Sequence, residues 1–270
     1  MKIQIASDLH LEGLQESLRE KCPTLIAPAP DADLLVLAGD IHEDCAGIEL
    51  FKDWPVPVLY VPGNHEFYGV GWRGALEHMR RACDGTGITL LDKDEVVIDG
   101  VRFLGATLWT DYKINVPTEV AMSAAQTQLL DYFRIKTQMG LLKARNTLDE
   151  HYNARSWLKR ELEKPFDGTT VVITHHAPHP KSVAARYESD VLTGAFVSDL
   201  SGSWSRPTRQ PYGSTGTATT GSTTRWAAAA WYRTRPAMCS IEPGSPRGMR
   251  RSGRTRAGGT SSWLRWYRKL

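Results

Sequence analysis

Residues 58–66 read Val-Leu-Tyr-Val-Pro-Gly-Asn-His-Glu. Four apolar residues stop at a Pro-Gly turn, and an amide, an imidazole and a carboxylate follow at once. A short continuous apolar run of this kind reads as a strand covered on both faces, as in a parallel sheet. In such sheets, side chains just beyond the carboxyl ends of strands are the ones that meet a ligand.

Three other apolar runs end in the same way. Lys2–Ala6 leads into Asp8-Leu9-His10, Leu34–Ala38 into Gly39-Asp40, and Thr170–Thr174 into His175-His176. Each has a plainer reading alone. Asp-x-His can be a capped turn, Gly-Asp a common turn, Gly-Asn-His-Glu a helix start, and a His pair one buried and one exposed imidazole. Four such clusters in one topological position could converge on a single site. Carboxylate, imidazole and amide oxygen together suit Mn, Fe, Zn, Co or Ni, without a thiolate. Asp40 is the natural carboxylate to bridge two ions.

The segments Asp-Leu-His, Gly-Asp, Gly-Asn-His-Glu and Thr-His-His-Ala-Pro, in this order, resemble the calcineurin-like metallophosphoesterase superfamily over residues 1 to about 200. The resemblance implies an α/β (α+β) four-layer fold, with two mixed β-sheets packed face to face and flanked by helices. It implies a dinuclear centre: Asp8, His10 and Asp40 on one divalent metal, Asp40, Asn64 and His175 on the other. It further implies hydrolysis of phosphomono- or phosphodiester bonds by a metal-bridging hydroxide, with a small-molecule or nucleotide phosphoester as substrate. His65 resembles the family's active-site histidine, which contacts the phosphoryl group or protonates the leaving group. Of the paired histidines, His175 lies nearer the strand end and is the expected ligand, with His176 supporting it.

Other segments supply the frame. Trp72–Cys83 places Trp72, Ala75, Leu76, Met79 and Ala82 at helical spacing, and Leu148–Leu162 is a second amphipathic helix stopped before Pro165. Glu95–Leu104 reads as a hairpin turning at Asp99-Gly100. His42 and Asp44 follow Asp40 and line either the cleft or a solvated loop. Phe67 and Tyr68 serve the core or flank a substrate, Trp109 and Asp111 could reach the rim, and His179 reads as a loop residue.

Nowhere do 18 consecutive apolar residues occur, so no membrane helix is expected. MKIQIASDLHLEG reads as an opening strand rather than a signal peptide. Cys22, Cys45, Cys83 and Cys239 show no C-x-x-C spacing and suit reduced thiols in a cytoplasmic protein.

Charge divides the chain into a domain over 1–200 and a tail over 201–270. The first 200 residues hold 20 Lys and Arg against 29 Asp and Glu; the last 70 hold 13 against Glu242 alone. Ser, Thr, Gly, Arg, Pro, Ala and Trp dominate the tail, which reads as irregular. Arg interleaved with Trp could bind nucleic acid.

The family pattern also has a Gly-His-x-His motif after the paired histidines, giving one ligand to each metal. No histidine follows His179. However, Tyr212–Thr220, Tyr-Gly-Ser-Thr-Gly-Thr-Ala-Thr-Thr, back-translated and read from the third base of each codon, can encode Trp-Val-His-Gly-His-x-His-Asp. The protein fixes the second and third bases of each new codon. Third positions of G or C also fit the Arg, Ala, Gly and Pro content of the tail. The expectation is a frameshift between about Asp199 and Thr208, leaving either an impaired enzyme or a metal-binding pseudoenzyme.

Overall fold

The computed structural model describes residues 1–203 and 224–228. The elements run β1 (Ile3–Ala6), α1 (Glu16–Arg19), β2 (Leu34–Ala38), α2 (Ala46–Phe51), β3 (Val58–Val61), α3 (Trp72–Cys83), β4 (Ile88–Leu90), β5 (Asp94–Ile98) and β6 (Val101–Ala106). Then come α4 (Thr118–Gln128), α5 (Asp131–Arg134), β7 (Lys136–Thr137), β8 (Gly140–Leu141), α6 (Ala144–Glu163), β9 (Thr169–Thr174) and β10 (Thr224–Ala228).

Two four-stranded sheets form. One has the order β1-β2-β3-β4, and every pairing in it is parallel. The other has the order β10-β9-β6-β5, antiparallel only at the β5–β6 hairpin. That hairpin turns at Asp99 (φ 47°) and Gly100 (φ 73°), the doubly left-handed geometry that an Asp-Gly pair accepts.

Strand side chains alternate between faces, and the apolar clusters show where each face goes. Leu34, Val36 and Ala38 of β2 meet Phe103, Val171 and Ile173 of the second sheet. Leu35 and Leu37 point the other way, toward Ile48 and Phe51 of α2 and Ala75 and Met79 of α3. Leu104 and Val172 face Ala154 and Leu158 of α6. The layers are therefore helix, sheet, sheet, helix, the four-layer arrangement expected. Each fully buried Leu, Ile or Val contributes roughly 1.5–3 kcal/mol, so the sheet-to-sheet layer is a large stabilising term.

The helix over Trp72–Cys83 has the expected bounds, and α6 extends the second expected helix at both ends. Residues 112–143 carry α4, α5 and the small β7–β8 hairpin, which the sequence pattern did not reveal. Their buried Ala121, Ala125, Leu129, Tyr132 and Ile135 join the core beside β1, β2 and β3.

One part of the irregular tail needs correction. Thr224–Ala228 forms β10, parallel to β9, with Ala228 level with Thr174. Backbone pairing along β9 accounts for a strand that Thr-Arg-Trp-Ala-Ala does not advertise by alternation. The remaining expectations for the tail, including its irregular character, the basic Trp-rich arm and the Tyr212–Thr220 segment, lie outside the described residues. Among the described residues, no helix is long and apolar enough to cross a membrane.

Candidate metal centre

The carboxyl ends of β1 and β2 are stitched together by their own backbone. Asp8 N–H donates to Gly39 O at 2.9 Å and His10 N–H to Asp40 O at 3.0 Å. Asp8 (φ 53°), His10 (φ 46°) and Asp40 (φ 54°) all take left-handed backbone. Non-glycine residues held there cost of order 1–3 kcal/mol each, and such strain collects at functional sites. Glu66, fully buried, locks the turns by accepting from the N–H groups of Asp40 (3.0 Å), Ile41 (2.9 Å) and Gly63 (2.7 Å) and from the Tyr60 hydroxyl (2.8 Å).

Two glycines permit the close approach. A Cβ on Gly63 would lie 2.2 Å from Asp40 Oδ1, and one on Gly39 (φ 87°) 2.4 Å from His175 Nδ1. Neither position has room for another residue.

Asp40 is the centre of the cluster. Its Oδ1 accepts from His65 N–H at 2.9 Å and lies 3.5 Å from His175 Nε2. Its Oδ2 lies 3.8 Å from both His10 Nε2 and His65 Nε2. Asp8, Asp40 and His175 form one group of converging ligand atoms, and His10, Asp40 and His65 another; within each, the atoms lie within 4.8 Å of one another. Asn64 Oδ1 sits 3.0 Å from His175 Nε2. All five expected ligands and His65 thus come together around a shared aspartate, although Asp8 pairs more closely with His175 than with His10.

The two paired histidines are separated by their partners. His175 Nδ1 donates to Ala38 O at 3.0 Å, which leaves Nε2 for the cluster. His176 turns away, its Nδ1 3.1 Å from Thr107 O and its ring 5.0 Å from that of Trp109. Burial first, then the nearby His175, lowers its pKa to about 3, so it stays neutral.

The electrostatics call for cations. Burial opposes the Asp40 charge, yet His65, His175 and His10 hold its pKa well below the usual range. Burial raises the Asp8 pKa despite His175. Among the described residues, Asp8 Oδ1 is buried without a hydrogen-bond partner. A buried polar atom in that state is costly unless something pairs with it. A divalent metal beside Asp8 and Asp40 would satisfy that oxygen, so the residues fit such an ion.

A family model for calcineurin-like phosphoesterase matches residues 1–201. The chain belongs to the calcineurin-like phosphoesterase family. It is also similar to an uncharacterized protein of Acanthamoeba polyphaga mimivirus, 25% identical over 225 residues, which cover 74% of this chain and 78% of that protein. Among solved structures, phosphopantetheinyl hydrolase from Mycobacterium tuberculosis shares the fold with a TM-score of 0.58 at 16% identity, covering 92% of this chain and 98% of that one. Membership of this family makes the protein a phosphoesterase by descent, with divalent metal as the implied cofactor.

Two residues of this calcineurin-like site, Glu12 and Asp131, did not stand out in the sequence. Glu12 Oε1 lies 2.8 Å from His65 Nδ1 and 3.2 Å from His10 Nδ1, joining the two imidazoles. Burial works against its charge, but hydrogen bonds from His10 and His65 lower its pKa to about 2. For His65, burial likewise opposes the charge, and Asp40 and Glu12 outweigh it, raising the pKa to about 10. Asp131, on α5, accepts from Asn64 Nδ2 at 2.9 Å and from the Tyr68 hydroxyl at 2.5 Å. Glu12 stands only two residues from His10, which is the faint cue available; Asp131 had none.

Tyr68 is buried, and its ring stacks on His65 at 4.4 Å. Trp72 stacks on both Phe67 and Trp109, and Phe67 and Trp109 belong to the core. Asp111 is buried, its N–H donating to Ser198 Oγ. Asp44 pairs with His78 at 3.0 Å rather than entering the cluster. His179 caps a short turn by accepting from Lys181 N–H at 3.0 Å.

Proposed function

We propose that Asp8, His10, Asp40, Asn64 and His175 hold a dinuclear metal centre that hydrolyses phosphomono- or phosphodiester bonds. We further propose that the chain as it stands lacks two of the histidine ligands. The observation that carries the reading is the position of Asp40, shared by two groups of converging ligand atoms. When bound, a pair of divalent ions supplies an activated nucleophile and positive charge for in-line displacement at phosphorus.

The chain's own residues do the rest. Asp131 orients the Asn64 amide so that its oxygen faces the centre. His65 is the catalytic imidazole. Kept protonated between Glu12 and Asp40, it donates to a phosphoryl oxygen or to the leaving-group oxygen. Tyr68, stacked on its face, keeps the ring from turning.

The missing ligands bear on activity. β10 ends beside Thr174, one residue before His175, and no histidine follows in the sequence to enter the centre from that edge. Read in the alternate frame, residues 214–219 supply His-Gly-His-x-His, so the tail is an out-of-frame trace of the absent motif. A metal-binding pseudoenzyme is the second reading, favoured by the same absence. Nucleic-acid binding by the tail is the third, favoured by its 13 basic residues against one acid.

Metal content and Mn²⁺-dependent hydrolysis of an aryl phosphodiester separate the first two readings. Metal-dependent turnover abolished by Asp40→Asn supports the phosphoesterase, and bound metal without turnover supports the pseudoenzyme. Salt-sensitive DNA binding that is lost on deleting residues 204–270 would support the third.

A further inference from the structure

Outside the main centre, one other set of metal-ligating side chains converges among the described residues. Asp44 and Cys45 precede α2, and His78 comes from the middle of α3. Their ligand atoms lie within 4.8 Å of one another. Cys45 Sγ is 3.9 Å from His78 Nε2 and 3.8 Å from Asp44 Oδ2. A tetrahedral ion bonded at ~2.3 Å to sulfur and ~2.0 Å to nitrogen or oxygen sets such atoms roughly 3.5 Å apart. Contraction of a few tenths of an ångström would bring the sulfur to that spacing from both Asp44 Oδ2 and His78 Nε2.

We infer that Asp44, Cys45 and His78 form a second, separate site for a thiophilic divalent cation of the zinc class.

The hydrogen bonding supports this assignment. Asp44 Oδ1 lies 3.0 Å from His78 Nδ1 and accepts its proton. That leaves the Nε2 lone pair facing Cys45, so the thiol has two acceptors, Asp44 Oδ2 and His78 Nε2, for one proton. A cation satisfies all three atoms together. The contact also repeats a familiar device, in which a carboxylate orients a metal-binding histidine through its other ring nitrogen.

The ligand set selects the ion. The main centre uses carboxylate, imidazole and amide oxygen, whereas this one adds a thiolate, which favours a softer ion. Asp44, at φ 50°, is held in left-handed backbone, and its carboxylate meets His78 of α3. A groove of about 440 Å³ opens beside the group, lined by Leu11, His42, Glu49 and Leu50 among others. It gives an ion a path in and leaves room for a water as fourth ligand. Burial and Asp44 raise the Cys45 thiol, so it keeps its proton until a cation displaces it, and binding releases that proton to solvent. Occupancy would tie α2 to α3 across their packed faces.

The test uses full-length, metal-stripped protein alkylated with iodoacetamide with and without Zn²⁺, each cysteine read by peptide mass spectrometry. Zn²⁺ should slow alkylation of Cys45 but not of Cys83. His78→Ala should abolish that protection, and Asp40→Asn, which disables the main centre, should preserve it. Because His78→Ala could disturb α3, a Cd²⁺ titration provides a second measurement. A thiolate-to-cadmium charge-transfer band should appear in the unaltered chain and in Cys83→Ser, and be missing in Cys45→Ser. Equal Cys45 alkylation with and without Zn²⁺, protection that survives in folded His78→Ala, or a band that persists in Cys45→Ser would overturn the assignment.

Discussion

Asn64 donates a 2.9 Å hydrogen bond to Asp131, a residue 67 positions later in the chain. The bond fixes which end of the amide faces the proposed metal centre. With Nδ2 committed to Asp131, Oδ1 is the atom that points at His175 Nε2, 3.0 Å away. Asp131→Ala should therefore weaken metal binding about 10–100-fold, the usual effect of losing a partner that orients a ligand. Metal titration followed by elemental analysis checks this. Asp131→Asn, which can still present an oxygen to Asn64, should recover part of the affinity.

Gly63→Ala should damage the centre from the backbone side. The added methyl would lie 2.2 Å from Asp40 Oδ1 and 2.5 Å from Asp40 N. Overpacking of this kind destabilises by about 1–3 kcal/mol, read by urea unfolding, and should also lower metal content. Gly13→Ala, with nothing within 4 Å of the new Cβ, is the control and should leave metal content unchanged.

His151 sets part of the acid limit of stability. It is buried on α6, its Nδ1 3.2 Å from the carbonyls of Leu108 and Trp109. Burial lowers its pKa below the ordinary 6.5, despite the opposing pull of Asp111. Below pH 6.5 the unfolded chain binds a proton at this residue that the folded chain refuses. The stability is thus fully present above that pH and is lost as pH falls, by no more than ~1.4 kcal/mol per pH unit. Urea unfolding at pH 7.5 and pH 5 should show a smaller difference for His151→Gln than for the unaltered chain.

The parts of this molecule legible in the sequence were those with local signatures. Val58–Val61 and Leu34–Ala38 are buried on both faces, so their apolar runs are continuous, and the polar residues that end them stand out. Asp99-Gly100 announces its hairpin because few other pairs accept two positive φ angles. The Trp72–Cys83 helix shows its buried face at a regular spacing. What stayed hidden depends on contacts distant in sequence. Asp131 sits on a four-residue helix with no periodicity to read, and its role exists only because α5 packs against Tyr68 and Asn64. Glu12, one acid among many, becomes a partner of His65 only once β2 pairs with both β1 and β3 and brings their carboxyl ends together. β10 follows from a free edge on β9 rather than from its own residues.

We propose that this chain is a metallophosphoesterase whose tail lacks two metal-binding histidines because of a change of reading frame. The most direct test is Mn²⁺-dependent hydrolysis of an aryl phosphodiester by this chain beside a version restored to the alternate frame from about residue 200. The restored protein should turn over substrate at least ~100-fold faster, since even the loss of groups that merely support metal ligands costs ~10–100-fold. Equal activity in the two proteins would show that the altered tail costs this chain no metal ligand.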